Sequence, residues 1–429
     1  MISSRSTGLK GEFRVPGDKS ISHRSVMLGS LAEGITEVSG FLEADDALAT
    51  LAAFQSMGVN IERLGPGRLR IHGVGLHGLQ KPAADLYVGN SGTSMRLLSG
   101  ILAGQPFDSV MSGDSSLTKR PMRRVLDPLA LMGANVESSG NGTAPLRIRG
   151  GAALSGIHYV MPMGSAQVKS CLLLAGLYAE GTTTVIEPAI TRDHTEQMLR
   201  GFGYAVNTQA NAVSLKGGGR LAAMSIDVPA DISSAAFFLV AASITPNSDI
   251  TLQHVGINPT RTGVIDILLK MGANIELLNK RTVGGEKVAD IRVTSSELTG
   301  IHVPEELVAL AIDEFPVIFV AAAYAVGTTV VTGAQELRVK ESDRIQAMAD
   351  GLQALGVDAQ ATEDGMVITG GRVSGGVVES VDDHRIAMSF AVAGLQSESA
   401  IQINNCDNVK TSFPDFVKLA SFCGFVLQA

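Results

Sequence analysis

Apolar and polar positions follow one another along this chain in a scheme that returns six times. A polar cluster leads into a short run that is apolar nearly all round, and in most copies a glycine and a β-prone stretch follow. The copies read DKSISHRSVMLGSLAEGITEV near residue 20, NSGTSMRLLSGILAG at 90–104 and GSAQVKSCLLLAGLYAEGTTTV at 164–185. They continue as DISSAAFFLVAASI at 231–244, DEFPVIFVAAAYAVGTTVV at 313–331 and DDHRIAMSFAVAGL at 382–395. Helices are predicted to start at 20, 91, 165, 232, 314 and 384, spaced by 67 to 82 residues. A helix without a polar face belongs inside a protein, so these six should form the core. Ser, Asp or Asn at their starts suits N-capping.

Each copy then carries a second helix with a similar ending: MGVNI (57–61), MGANV (132–136), FGYAV (202–206), MGANI (271–275), LGVDA (355–359) and CGFVL (423–427). Glycine there suits a left-handed C-cap, and the alternation after it suits a strand. The period is too long for a simple solenoid and fits a compact unit of two helices and several strands. No linker composition interrupts the series, so the natural division is three units plus three, near residue 228.

Composition narrows the picture. At 429 residues and 45% hydrophobic, the chain can bury a large core in each of two to three domains. With 48 glycines, 4% aromatic residues and no tryptophan, it is built from tight turns and small side chains. A net charge of −8 and a pI near 5.5 argue against a broad basic face for nucleic acid or membrane. Small anions need only a local positive pocket and stay open. Cys171, Cys406 and Cys423 form no CxxC pair, MISSRSTGLKGEF lacks a signal-peptide core, and the longest apolar runs have about half a membrane span. A cytoplasmic protein is expected.

The charges gather at the predicted helix starts. Lys19, Ser20 and Arg24 lie in the first unit, Arg96, Lys119 and Arg120 in the second, and Ser165, Gln167, Lys169 and Arg192 in the third. Asp313 and Glu314 open the fifth unit, and Asp382, Asp383, His384 and Arg385 open the sixth, with Lys410 further on. ELRVKESDRI (336–345) packs six formal charges, three of each sign, into ten positions of a chain only 18% charged. There, Ser342 is expected to cap the next helix and Asp343 to complement its dipole, leaving Lys340 and Glu341 just ahead of it. Any one of these charges reads as a solvated helix start. Their recurrence across five units points instead to an anion site.

Other motifs fail on context. GVGLHG (73–78) matches a dinucleotide fingerprint, but LQKPAAD follows it and Pro82 would break a helix. There is no Walker A loop, HExxH or GxSxG, and no spacing that suggests a metal.

Taken together, PGDKSISHR, GNSGTSMR, KRPM, GSAQVKS, TRDHTE, RVKESDR, DDHR and KTSFPDF resemble the 5-enolpyruvylshikimate-3-phosphate (EPSP) synthase family along nearly the whole chain. The resemblance implies an α/β (α+β) fold of two globular domains, each of three βαβαββ-type units. It places residues 18–227 in the first domain and 1–17 with 228–429 in the second, with two crossovers acting as hinges beside an interdomain active-site cleft. It implies transfer of the enolpyruvyl group of phosphoenolpyruvate to the 5-hydroxyl of shikimate 3-phosphate, with no cofactor or metal. No nucleic-acid or membrane partner follows from it, and a monomer is expected.

Carried over by position, the resemblance sets shikimate 3-phosphate against Lys19, Ser20, Arg24, Ser165, Ala166, Gln167, Arg192, Asp313 and Lys340. Phosphoenolpyruvate is set against Lys19, Gly92, Arg120, Gln167, Arg344, Arg385 and Lys410, with Asn90 holding the Gly92 loop. Glu341 and His384 are expected near the reacting carbons. Addition needs a base toward the hydroxyl, assigned to Asp313, and an acid toward the methylene, assigned to Glu341, and Lys19 is counted with them in the catalytic set. Ala166 and Glu336 stand where the family's better-known class has Ser and Asn, so the pattern resembles the second class and Glu336 is left a structural role. The rivals are an enolpyruvyl transferase acting on a UDP-amino sugar and a non-catalytic anion-binding repeat protein. The first typically carries a loop cysteine near the position of Arg120, and SSLTKRPM has none.

Overall fold

The computed structural model describes residues 1–428. Backbone contacts divide the chain into two units, Lys19–Val228 and Met1–Asp18 with Pro229–Ala429. Each unit has its own hydrophobic core.

The six apolar runs are the central helices. Lys19–Leu31, Gly92–Ala103 and Ala166–Gly176 belong to one unit, and Ile232–Ile244, Phe315–Ala323 and His384–Ala393 to the other. Every residue of Phe315–Ala323 is buried, and all but the last of Ile232–Ile244. Each fully buried Val, Leu, Ile, Phe or Met side chain contributes about 1.5–3 kcal/mol, so these helices anchor the fold. Small residues let them approach closely. A Cβ on Gly100 would fall 2.2 Å from the carbonyl oxygen of Cys171 on the neighbouring helix.

Capping follows the sequence at four starts. Ser91, Ser165, Asp231 and Asp383 each accept a hydrogen bond from a backbone N–H of the first turn. At the other end of each unit, the signature glycines Gly58, Gly133, Gly203, Gly272, Gly356 and Gly424 all have φ between +80° and +116°. A side chain there would be strained, which is why glycine returns at that position.

The six sheets share one strand order. In the clearest, Leu86–Tyr87 runs parallel to Ser109–Ser112, which pairs antiparallel with Leu146–Arg149, and that strand with Asn135–Glu137. The same order holds for His158–Val160, Thr182–Ile186, Ala212–Lys216 and Val206–Gln209. Three sheets borrow a strand from a distant part of the chain. Ser225–Asp227 pairs with Glu33–Ser39, Lys10–Phe13 with Asp249–Gly256, and Ile2–Ser4 lies between Ile401–Asn404 and Val426–Gln428. In the fifth sheet the first strand is reduced to the bridges Thr299–Val326 and His302–Val330. This is the two-unit, six-repeat α/β architecture expected. Among the described residues, no helix is long and apolar enough to cross a membrane.

Candidate active site

In the unit that begins again at Pro229, three loops bring charge together. Asp313 stands at the turn before Phe315–Ala323. Lys340 and Glu341 lie between a short 3-10 helix, Gln335–Val339, and the helix Arg344–Ala354. Arg344 is the hub. Its Nε donates to Asp383 Oδ2 at 2.8 Å, Nη1 to Asp313 Oδ1 at 3.3 Å, and Nη2 to Glu341 Oε2 at 2.6 Å. Burial lowers the arginine's pKa, but Asp383, Glu341 and Asp313 raise it more, so the cation stays charged. Lys340 Nζ lies 3.3 Å from Asp313 Oδ1, and Arg385 Nη1 donates to the Asp313 carbonyl at 2.9 Å.

Exposure separates these groups by use. The side chains of Arg344 and Asp383 are 1% and 0% exposed, whereas Asp313, Lys340 and Glu341 keep 12%, 16% and 21%. The two carboxylates assigned to proton transfer therefore remain reachable while Arg344, which holds both, is buried. His384 is buried at the first position of its helix, and Lys410 is exposed on the short helix Asp407–Thr411. Glu336 lies 3.7 Å from Lys340.

One cap differs from expectation. Asp343, not Ser342, caps Arg344–Ala354, accepting from Gln346 N at 3.0 Å, and it also accepts from Arg338 at 2.6 Å. Ser342 Oγ instead donates to Asp383 at 3.0 Å. Both residues are capping types, and the buried Asp383 carboxylate draws the serine away.

Sequence reasoning missed Arg261. Buried in the same unit, it reaches Asp18 and Asp231 at 3.2 Å each and Glu314 at 3.8 Å, and donates to Ser233 Oγ at 2.6 Å. Its partners lie up to 243 residues away. The only local signal is one arginine in the turn NPTRTG.

The unit Lys19–Val228 assembles a second set. Lys19 Nζ lies 3.2 Å from Asp46 Oδ2. Arg24 is buried, donating to the Ser20 carbonyl at 3.0 Å, Thr195 Oγ1 at 2.7 Å and Ser170 Oγ at 2.9 Å. Gln167 accepts from Arg96 Nη1 at 2.5 Å and donates to Thr93 at 3.1 Å. Arg120 Nη2 donates to Asn90 Oδ1, and Asn90 Nδ2 to Asp114 at 2.8 Å. A Cβ on Gly92 would sit 3.1 Å from both Arg120 Nη1 and Arg96 Nη1, so this turn lies directly against two guanidinium groups. Ser165 caps the helix that begins at Ala166, and Arg192 is half-buried just before the helix His194–Gly201.

Lys169 departs from the helix-start cluster to which its position assigned it. Its Nζ is buried at 2.9 Å from Glu187 and 2.7 Å from Glu196. It thus ties the Ala166–Gly176 helix to both ends of the segment that carries Arg192. Among the described residues, no group of three or more His, Cys, Asp or Glu is arranged to hold a metal.

The chain's relatives agree with one another. A profile of the EPSP synthase family (3-phosphoshikimate 1-carboxyvinyltransferase) matches residues 4–419. The chain is 66% identical over 420 residues to a 3-phosphoshikimate 1-carboxyvinyltransferase of Methylococcus capsulatus, a match spanning 98% of this chain and 96% of that one. It is 61% identical over 428 residues to the protein of that name from Hydrogenovibrio crunogenus, with 98% and 96% coverage. A solved EPSP synthase from Acinetobacter baumannii superposes with a TM-score of 0.88 at 59% identity, over 99% of this chain and 97% of that chain.

Proposed function

The chain belongs to the EPSP synthase family, and from that membership we propose how its residues carry the reaction. The enolpyruvyl group of phosphoenolpyruvate passes to the 5-hydroxyl of shikimate 3-phosphate, and phosphate leaves, on the route to chorismate and the aromatic amino acids. The substrates bring two phosphates and two carboxylates, whose repulsion must be offset by cations. Arg24, Ser165, Gln167 and Arg192 take shikimate 3-phosphate, with Lys340 beside its reacting hydroxyl. The Gly92 turn, Arg120, Arg385 and Lys410 take phosphoenolpyruvate, and Lys19 serves both.

The observation that carries the proton chemistry is that one buried guanidinium, Arg344, holds both Asp313 and Glu341. Asp313 accepts the hydroxyl proton as that oxygen attacks the enol carbon, and Glu341 gives its proton to the methylene carbon. A methyl group and a tetrahedral carbon result. Elimination returns one methyl proton to Glu341, restores the double bond and expels phosphate. Each proton transfer of this kind contributes about 10²–10⁴ in rate. Arg344 meets phosphoenolpyruvate by exchanging its contact with Glu341, which frees that carboxyl for its role.

The UDP-amino-sugar reading is disfavoured by the cysteines. Burial pushes the thiols of Cys171 and Cys423 up to about 12, and none of the three cysteines lies in the SSLTKRPM loop that carries Arg120. The test supplies phosphoenolpyruvate with shikimate 3-phosphate or with a UDP-amino sugar and follows inorganic phosphate. Release is expected only with the first acceptor. Release with the second alone overturns the reading.

A further inference from the structure

The helix Lys19–Leu31 carries His23 one turn after Lys19, and the helix Asp45–Ser56 carries Thr50 one turn after Asp46. Residues four apart share a helix face, so the two helices meet in two rungs. The first is Lys19–Asp46 at 3.2 Å, and the second is His23 Nδ1 with Thr50 Oγ1 at 2.7 Å. The second rung continues. Thr50 Oγ1 lies 2.6 Å from Ser94 Oγ, and Ser94 Oγ donates to Ser91 Oγ at 2.7 Å. Ser91 is the cap of Gly92–Ala103 and immediately precedes Gly92. His23, Thr50 and Ser94 are 0% exposed and Ser91 is 1% exposed.

We infer that His23 is a positioning residue for phosphoenolpyruvate, acting through Thr50, Ser94 and Ser91 on the Gly92 turn. Three features support this. The chain takes one direction: Ser94 Oγ gives its proton to Ser91, so it accepts from Thr50, and Thr50 in turn accepts from His23 Nδ1–H. Burial, with Lys19 and Arg24 nearby, keeps the imidazole neutral, so Nδ1 holds that proton without adding a third positive charge. The turn itself is fixed from two sides. Asn90 is held by Asp114 and Arg120, and Ser91 by this chain, so Gly92 has a defined place against Arg120 and Arg96. A backbone that must approach an anion to within hydrogen-bond distance tolerates little displacement. The inference rests on the assignment of phosphoenolpyruvate to the Gly92–Arg120 surface.

The test measures KM for each substrate separately in the full-length enzyme. Thr50→Val breaks the chain with nearly unchanged volume, His23→Leu removes its donor, and His23→Asn keeps a donor near the Nδ1 position. Ser94→Ala replaces Thr50→Val if that variant does not fold. Thr50→Val and His23→Leu are expected to raise KM for phosphoenolpyruvate roughly tenfold. KM for shikimate 3-phosphate should stay within about twofold, because Lys19 keeps its own rung to Asp46. His23→Asn should restore most of the loss. Equal changes in both KM values, no change in either, or no rescue by asparagine overturns the inference. Arg120→Ala, in the same assay, separates the two claims. If it raises KM for phosphoenolpyruvate while Thr50→Val does not, only the chain is wrong. If neither does, the site assignment falls and the inference with it, and if only Thr50→Val does, the Gly92 turn faces phosphoenolpyruvate as inferred and only the part given to Arg120 falls.

Discussion

Arg344 grips Asp383 at both carboxylate oxygens, Nε to Oδ2 at 2.8 Å and Nη2 to Oδ1 at 3.3 Å, with both side chains buried. Removing the acid leaves a cation in the core with less to balance it. Asp383→Ala is expected to cost about 3–5 kcal/mol of stability, read from urea unfolding. Burial alone would raise the pKa of Asp383, and Arg344 outweighs it, so the folded value lies below the ordinary one. The pair's contribution is therefore complete above the unfolded value near 3.8 and is lost as pH falls through the folded value.

Lys169 carries a similar load in the other unit. Lys169→Met leaves Glu187 and Glu196 buried together, and about 3–5 kcal/mol should be lost. Because the segment between those acids bears Arg192, KM for shikimate 3-phosphate should rise more than KM for phosphoenolpyruvate. Steady-state kinetics on the folded fraction checks this.

Gly92→Ala places a methyl group 3.1 Å from two guanidinium nitrogens. Arg120 or Arg96 must give way by a few tenths of an ångström. KM for phosphoenolpyruvate should rise about tenfold or more, with KM for shikimate 3-phosphate nearly unchanged. Equal KM values in variant and parent would show that the turn does not face that substrate.

His23 gives the fold a pH dependence. Burial first, then Lys19 and Arg24, lower its pKa well below 6.5. The unfolded chain therefore binds this proton more readily. The native advantage is full above about pH 6.5 and shrinks as pH falls from there toward the folded value, by at most about 1.4 kcal/mol per pH unit. Unfolding of His23→Asn at pH 7.5 and 5.5 should show a smaller difference than the parent shows.

Much of this architecture was legible because its signals are local. The six signature glycines read as C-caps, and all six have positive φ. The apolar runs read as buried helices because none of them presents a continuous polar face. What escaped detection was set by contacts distant in sequence. Arg261 sits in an ordinary turn, and its meaning comes from Asp18 and Asp231. Lys169 has the composition of a helix-start cation, yet its place on the helix turns it inward to Glu187 and Glu196. The choice between Ser342 and Asp343 as a cap was decided by Asp383, which lies 41 residues from Ser342.

The central claim is that Glu341, once Arg344 exchanges its contact with it for phosphoenolpyruvate, passes a proton to and from the methylene carbon of that substrate. The most direct measurement runs the reaction in D2O and follows deuterium at that carbon in the product by mass spectrometry. The parent enzyme should incorporate solvent deuterium. Glu341→Gln should lose incorporation together with at least a hundredfold of turnover, while still binding shikimate 3-phosphate. Parent-like turnover and labelling in Glu341→Gln would contradict the account.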